Sequence, residues 1–483
     1  MEGIRPAVSG GTIKERQYEE EEYAMKRRDF LKGAVAAAGA AGFPTLLPSL
    51  VFGRNKPNDK IQIGQIGCGR IARTHDLPET IRHDFCRIVA AADVDSKRLE
   101  DGKRWIENYY AKKTGQSSYV QVKTYGNYQD LLADPAIDAV IISTPDHWHA
   151  QIAIEAALAG KDIYLQKPAS MTIVEGRQMS DVIHRTGRIL QVGSQQRSMK
   201  PWPHFKRACE LVRNGFVGDL QRVLIGLPTD PGCGEEPEMP IPPNLNYDMW
   251  LGSTPYVYYT EKRVHPQNSY DRPGWLRCDA YCCGMITGWG AHHVDTANWG
   301  MDTEYTGPIE VEGRAEYPKS GLWDVHGEFD VYAKYANGVS MHISSRHPNG
   351  VRFEGTEGWI FVTRGPEQVT ASDPTSGGPS SPLQAGDPKI LQAAIPAEGV
   401  HLYESPEQHL NWLECIRSRR QPVAPVEVSH RSCSACLVSY IAMKLGRKLT
   451  WNPRKEVFVG DDQANGMLSR PQRKPYGTNY VLL

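Results

Sequence analysis

The stretch Ile61 to Ala72, Ile-Gln-Ile-Gly-Gln-Ile-Gly-Cys-Gly-Arg-Ile-Ala, limits the fold more than any other part of the chain. Ile61, Ile63 and the run to Ile66 mark a buried parallel strand. The strand enters Gly67-Cys68-Gly69-Arg70-Ile71-Ala72, a G-x-G-x-x-A turn that opens a helix. Gly67 permits the tight turn, Gly69 lets a pyrophosphate approach the backbone, and Ala72 lets helix and strand pack closely. The first helical N–H groups, at Arg70 and Ile71, have no partner within the helix and attract anions. A second strand, Arg87-Ile-Val-Ala-Ala-Ala-Asp93, ends on an acidic residue at the distance this motif requires. A carboxylate there binds both ribose hydroxyls and repels a 2′-phosphate, so the pattern predicts NAD in preference to NADP.

After Asp93 the α/β alternation is regular. Helices are expected over Ser96–Lys112, Tyr128–Leu132, Ala150–Ala159 and Thr172–Arg185, and strands over Ala139–Ser143, Ile163–Leu165 and Ile189–Val192. This describes a doubly wound domain over residues 60–193. In such sheets the ligand lies beyond the carboxyl ends of the strands, where Gly67, Asp93, Thr144-Pro145 and Gln166-Lys167-Pro168 stand. Residues 194–451 change character. Gly218–Leu227 begins a strand, and a Pro- and aromatic-rich insertion runs from Pro228 to about Gly284. A helix follows over Gly288–Gly300. Alternating runs at Ile309–Tyr317, Gly327–Tyr335, Val339–Ser345 and Gly358–Val362 read as an open, mostly antiparallel sheet. Two helices, Glu407–Arg417 and Ser432–Arg447, close this α+β domain. Residues 366–400 are expected as a loop, and 452–483 as an extended tail, an arm onto a neighbouring subunit.

The N-terminus has its own logic. Residues 1–24 are polar and read as a disordered or untranslated extension. Residues 25–53 carry Arg27-Arg28, then an Ala/Gly-rich stretch, the pattern of a twin-arginine export signal cleaved between about Ala38 and Gly53. Export of a folded, cofactor-loaded protein to the periplasm is the expectation, with no membrane anchor after cleavage. At 483 residues, 23% charged and a net charge of −1, the chain has ample core and no field that draws it to nucleic acid. The ten cysteines follow no framework spacing, and Cys433-x-x-Cys436 sits in a helical pattern without a second pair. No metal site is expected: His147, His149, His292, His293 and Asp295 lack a spacing that fixes them together.

The order G-x-G-x-x-A, Asp93, T-P-x-x-x-H (Thr144–His149), x-K-P (Gln166–Pro168) and a His-containing helix resembles the Gfo/Idh/MocA oxidoreductases, named for glucose–fructose oxidoreductase and inositol dehydrogenase. The similarity spans about Lys60 to Trp451. It implies a Rossmann domain, then a sheet domain used for substrate binding and oligomer contacts, in a dimer or tetramer. It also implies NAD(P)-dependent oxidation of a sugar or polyol. Lys167 matches the lysine of the family's E-K-P motif, which bonds the reacting hydroxyl and the nicotinamide ribose. His292 matches the histidine of its D-x-x-x-H helix, the proton acceptor. Two positions depart: Gln166 stands for the usual Glu, and Gly288 for the usual Asp one turn before His292.

The expected set is therefore Lys167 and His292 for chemistry. Gly67, Gly69, Arg70, Ile71, Asp93, Thr144, Pro145, His149, Gln166 and Lys167 are expected to hold NAD. His147, Trp148, Arg197, Trp289, His293 and Asp295 are expected to hold substrate, with Tyr256, Tyr258, Tyr259, Trp275 and Tyr281 as further stacking surfaces. Beside the cofactor's positive ring a lysine has a lowered pKa and takes or shares the hydroxyl proton, with His292 as relay or base. Three activities fit: a dehydrogenase that oxidises a ring hydroxyl of a sugar or glycoside to a ketone; a hydrolase that uses bound NAD for transient oxidation, elimination and re-reduction; and a degenerate sugar- or nucleotide-binding protein.

Overall fold

Isoleucines and alanines on both faces make the first sheet a buried, all-parallel layer. In the computed structural model, which describes residues 60–365 and 381–482, its strands are β1 (Ile61–Ile66), β2 (Cys86–Ala92), β3 (Lys123–Tyr125), β4 (Ala139–Ile142), β5 (Asp162–Leu165) and β6 (Leu190–Val192). Their spatial order is β3-β2-β1-β4-β5-β6. The chain reverses its winding between β1 and β4, which opens a crevice at their carboxyl ends. The extension 1–24 and the twin-arginine segment 25–53 lie outside the described residues, as does 366–380 of the long loop.

The crossover helices follow local chemistry. Asp95 caps the helix Ser96–Thr114 by accepting from Lys97 N and Arg98 N, and Gly115 closes it in the left-handed region. Thr172 caps Ile173–Thr186 in the same way, with Gly187 at its end. The helix opened by the glycine turn is unusual: it widens into a π-helical turn over Ala72–Asp76. Such turns are rare and concentrate at functional sites.

The second sheet has nine strands: β7 (Leu220–Gly226), β8 (Glu310–Ala315), β9 (Phe329–Lys334), β10 (Ser340–Ser344), β11 (Gly350–Gly355), β12 (Trp359–Val362), β13 (Leu383–Ala385), β14 (Leu449–Asn452) and β15 (Val457–Phe458). They are ordered β13-β12-β11-β7-β10-β9-β8-β14-β15. All neighbours are antiparallel except β7 and β10, which are parallel. Helices Pro203–Arg213, Gly290–Met301 and Val426–Leu445 contact this sheet, and the last also packs on Ile173–Thr186 of the first domain. One apolar core runs through both domains.

Three features add to the sequence reading. Helix Gln408–Ser418, assigned to the second domain, packs Trp412, Leu413 and Cys415 against Ile61, Ile63 and Tyr164 of the first sheet. The loop 366–400 contains β13 and a short helix, Pro388–Gln392. The tail makes contacts within its own chain, where Arg473 binds Asp248, Arg470 donates to Asp279 O and Gly477 N donates to Gln151.

The insertion is stitched to the start of helix Ser96–Thr114. Ser96 N donates to Asn244 O at 2.8 Å and Asn246 N to Val94 O at 2.9 Å. His265 Nε2 lies 2.9 Å from Asp95, and Arg98 donates to Pro266 O and Ser269 O. Tyr270 is held between the guanidinium groups of Arg73 and Arg98. Of its aromatics, Tyr259 and Tyr281 are core, and Tyr256 and Tyr258 are exposed.

Candidate active site

Gly67 has φ +83°, and a Cβ there would come within 2.7 Å of Ser143 O, so no other residue fits the turn. A Cβ on Gly69 would meet nothing within 4 Å: the ground above it is open. Cys68 N donates to Asp93 Oδ2 at 2.7 Å and Asp95 N to Oδ1 at 2.9 Å, which fixes the acidic side chain against the glycine turn. All ten residues expected to hold NAD line one cavity at the strand ends, together with Trp148. Trp250, His265, Asp271 and Trp275 of the insertion form its opposite wall. An open glycine, a helix start with free N–H groups and a fixed carboxylate suit a dinucleotide's pyrophosphate and ribose.

Beneath the cavity lies a buried polar group that the sequence did not single out. The π-helical turn brings Asp76 under β4 and β5. It accepts from Ser143 Oγ at 2.6 Å and from Gln166 Nε2 at 2.8 Å, and it lies 3.3 Å from His409 Nε2. Burial works against its charge, but His409, His75 and Ser143 outweigh this and hold its pKa below the ordinary carboxylate value. His149 ties the ends of β4 and β5 together, with Nδ1 2.6 Å from Pro168 O and Nε2 3.0 Å from Thr144 O.

Lys167 extends from β5 and donates from Nζ to Gly288 O at 3.0 Å. That carbonyl is available because the expected helix breaks at Trp289, between Met285–Gly288 and Gly290–Met301. His292 N, which would bond Gly288 O in an unbroken helix, bonds Trp289 O instead. Burial lowers the Lys167 ammonium to about 8, opposed by the charge of Asp146. His292 is also buried; burial, then Arg364 and Lys167, keep its pKa well below the ordinary histidine value, so the ring is neutral. Trp289 packs edge-on against His292 and faces Arg364, whose guanidinium lies between Trp202 and Trp289. No group of three or more His, Cys, Asp or Glu placed to hold a metal ion occurs among the described residues.

Five residues expected to hold substrate have polar side-chain atoms engaged inside the protein. Arg197 forms a bidentate pair with Asp295, at 2.6 and 2.9 Å, and a second pair with Glu304. Asp295 also accepts from Ser432. His293 is fully buried with Nε2 2.8 Å from Asn349 Oδ1. His147 Nε2 lies 2.9 Å from Trp250 O, to which Trp148 Nε1 also donates, so the two residues anchor the insertion. Asp76, Asp146, His75, His409 and Arg364 are site residues that sequence reasoning passed over. Asp146 stood inside the quoted Thr144–His149 run, whereas the others give no local signal.

Fold and cavity together define a dinucleotide-dependent oxidoreductase. Residues 61–194 match the NAD-binding Rossmann fold of an oxidoreductase family, and residues 231–367 and 389–478 match the C-terminal alpha/beta domain of the same family. The chain belongs to the Gfo/Idh/MocA oxidoreductases, and its cofactor is NAD. It is 40% identical over 312 residues to scyllo-inositol 2-dehydrogenase (NAD(+)) of Bacillus subtilis (strain 168), covering 63% of this chain and 74% of that one. It is 28% identical over 276 residues to a glycosyl hydrolase family 109 protein of Stenotrophomonas maltophilia (strain K279a), covering 55% and 56%. Of several other curated relatives it matches, the chain spans about half the length. The fold is shared with the WlbA dehydrogenase of Bordetella pertussis in complex with NADH and UDP-GlcNAcA, with TM-score 0.55 and 18% identity over 82% of this chain and 98% of that one.

Proposed function

We propose that this oxidoreductase is an exported dehydrogenase that oxidises a ring hydroxyl of a sugar or glycoside to a ketone. The observation that carries the proposal is Lys167: an amine of lowered pKa, at the end of β5 in the cofactor cavity, fixed on Gly288 O. Bound NAD supplies the two-electron acceptor. The chain's own residues do the rest. The Lys167 amine takes the hydroxyl proton, and neutral His292 orients the substrate oxygen. Gly67, Gly69 and Asp93 fix the cofactor, and Trp250 and Trp275 close the cavity from above. Incubation of the protein with NAD and a panel of free hexoses, inositols and aryl glycosides tests it: NADH accumulates with at least one, and a panel without any NADH formation refutes the proposal.

One observation favours a second activity, the NAD-dependent glycoside hydrolase. A Cβ at Gly288 would meet only Met285 Sδ at 3.9 Å, which leaves room for a larger aglycone. Release of the aglycone without NADH accumulation distinguishes it. Export rests on Arg27-Arg28; their replacement by Lys abolishes periplasmic delivery, and unchanged delivery in fractionated cells removes the claim.

A further inference from the structure

The turn after β4, Asp146–Trp148, is fastened on every side but one. His147 and Trp148 are tied to Trp250 O, and His149 to Thr144 O and Pro168 O. Asp146 is 4% exposed and lines the cofactor cavity with Lys167, Pro168 and Gly288. Among the described residues its carboxylate accepts a hydrogen bond from no residue but itself. A buried carboxylate without a protein partner is costly unless it serves a ligand or a charge. After burial, the strongest influence on Asp146 is the charge of Lys167, and the strongest on Lys167 is that of Asp146.

We propose that Asp146 is the carboxylate partner of Lys167 in proton transfer, supplying from the β4 turn what Gly288 lacks. The proposal rests on the dehydrogenase activity above. Bound NAD would take the carbinol hydrogen with its bonding pair, as hydride. The O–H bond breaks, its proton goes to the uncharged Lys167 amine, and the C=O bond forms. Lys167 then passes a proton, by way of a water molecule in the cavity the two residues line, to the Asp146 carboxylate, which releases it to solvent. Asp146 thus acts through Lys167, as a relay and positioning residue.

The surrounding groups fit this direction of flow. Arg364, Arg272, His149 and His292 also face Lys167. The two arginines cannot accept a proton, and burial holds His149 at about 4 and His292 well below its ordinary value. Asp146 is faced by Lys167, Arg272 and the thiols of Cys282, Cys283 and Cys433. Burial raises its carboxyl to about 7, next to Lys167 at about 8, so a proton passes between them with little loss near neutral pH.

The test uses the NAD-loaded protein, the best substrate of the panel above and the variants Asp146→Asn, Asp146→Ala and Asp146→Glu. Asp146→Asn lowers kcat by about a hundredfold, the scale of a positioned proton-transfer group, with KM little changed. Formate restores part of the kcat of Asp146→Ala. The pH midpoint for reductive methylation of Lys167, read by mass spectrometry, moves down in Asp146→Asn because an anion that favoured the ammonium is gone. A kcat within threefold of the parent together with an unmoved Lys167 midpoint overturns the proposal. Should Asp146→Asn not fold, Asp146→Glu decides: its Lys167 midpoint stays within half a unit of the parent's on the proposal, and a fall of a full unit or more overturns it. A parent without any dehydrogenase activity refutes the proposed function instead, while the Lys167 midpoints still report on the pair.

Discussion

Gln166 Nε2 donates to Asp76 Oδ1 at 2.8 Å, and both side chains are buried. This contact accounts for the glutamine where related motifs carry glutamate: a second carboxylate would face Asp76 without a proton between them. Gln166→Glu should therefore destabilise the fold by about 3 kcal/mol at pH 8, the scale of an uncompensated buried charge. The repulsion raises the folded-state pKa of one carboxyl above its unfolded value. The penalty is then absent below the unfolded pKa, grows as pH rises toward the folded pKa, and is complete above it. Urea unfolding at pH 5 and pH 8 checks this; an equal loss at both would show that charge is not the cause.

Lys167→Ala should cost about a hundredfold or more in turnover. Its one described hydrogen bond goes to a backbone carbonyl beside a cavity, so the change in Tm should stay under about 2 °C. Steady-state kinetics and thermal unfolding on one preparation are sufficient. Near-native turnover would remove Lys167 from the chemistry.

Arg197 offers the opposite contrast. It is 3% exposed and neutralises Asp295 and Glu304. Arg197→Ala leaves a buried carboxylate unpaired and should lower unfolding stability by about 3–5 kcal/mol. A rise in KM for the sugar at unchanged stability would restore it to the substrate-binding set.

Gly288→Asp would put a carboxylate one turn from His292, at a position where a Cβ meets only Met285 Sδ at 3.9 Å. The added anion favours the charged forms of Lys167 and His292, so the acidic limb of the pH–rate profile should move to higher pH. The side chain also takes the space available to an aglycone. The ratio of kcat/KM for an aryl glycoside to that for its parent sugar should fall in the variant; an unchanged ratio would mean the opening is not used.

The cradle was legible because its rules are local. A glycine turn with a strand before, a helix after and Asp93 at the right distance states its own geometry, and the ends of β4 and β5 follow from apolar runs and turn residues. What escaped depended on distance or on small departures from regularity. β3 is three residues long and largely exposed, so it carries no alternating signal, and β11 alternates only over Val351–Glu354, too briefly to stand out. Helix Val426–Leu445 begins before Ser432 because Val426 and Val428 are core rather than strand residues. The π-helical turn that buries Asp76 has no local sequence signal, and the approach of His409 to it depends on helix Gln408–Ser418 packing on the first sheet. Arg197 and Asp295 were each expected to hold substrate, and only packing brings them together as an ion pair.

The insertion stitched to helix Ser96–Thr114 bears on how long a nucleotide stays. His265 and Asp271 line the cavity beside Asp93, while Asn244, His265 and Tyr270 grip Asp95, Arg98 and Asp101 next to it. A wall held by several of these bonds moves away from the cavity only when they open together, so any release of nucleotide past it carries the free energy of local unfolding.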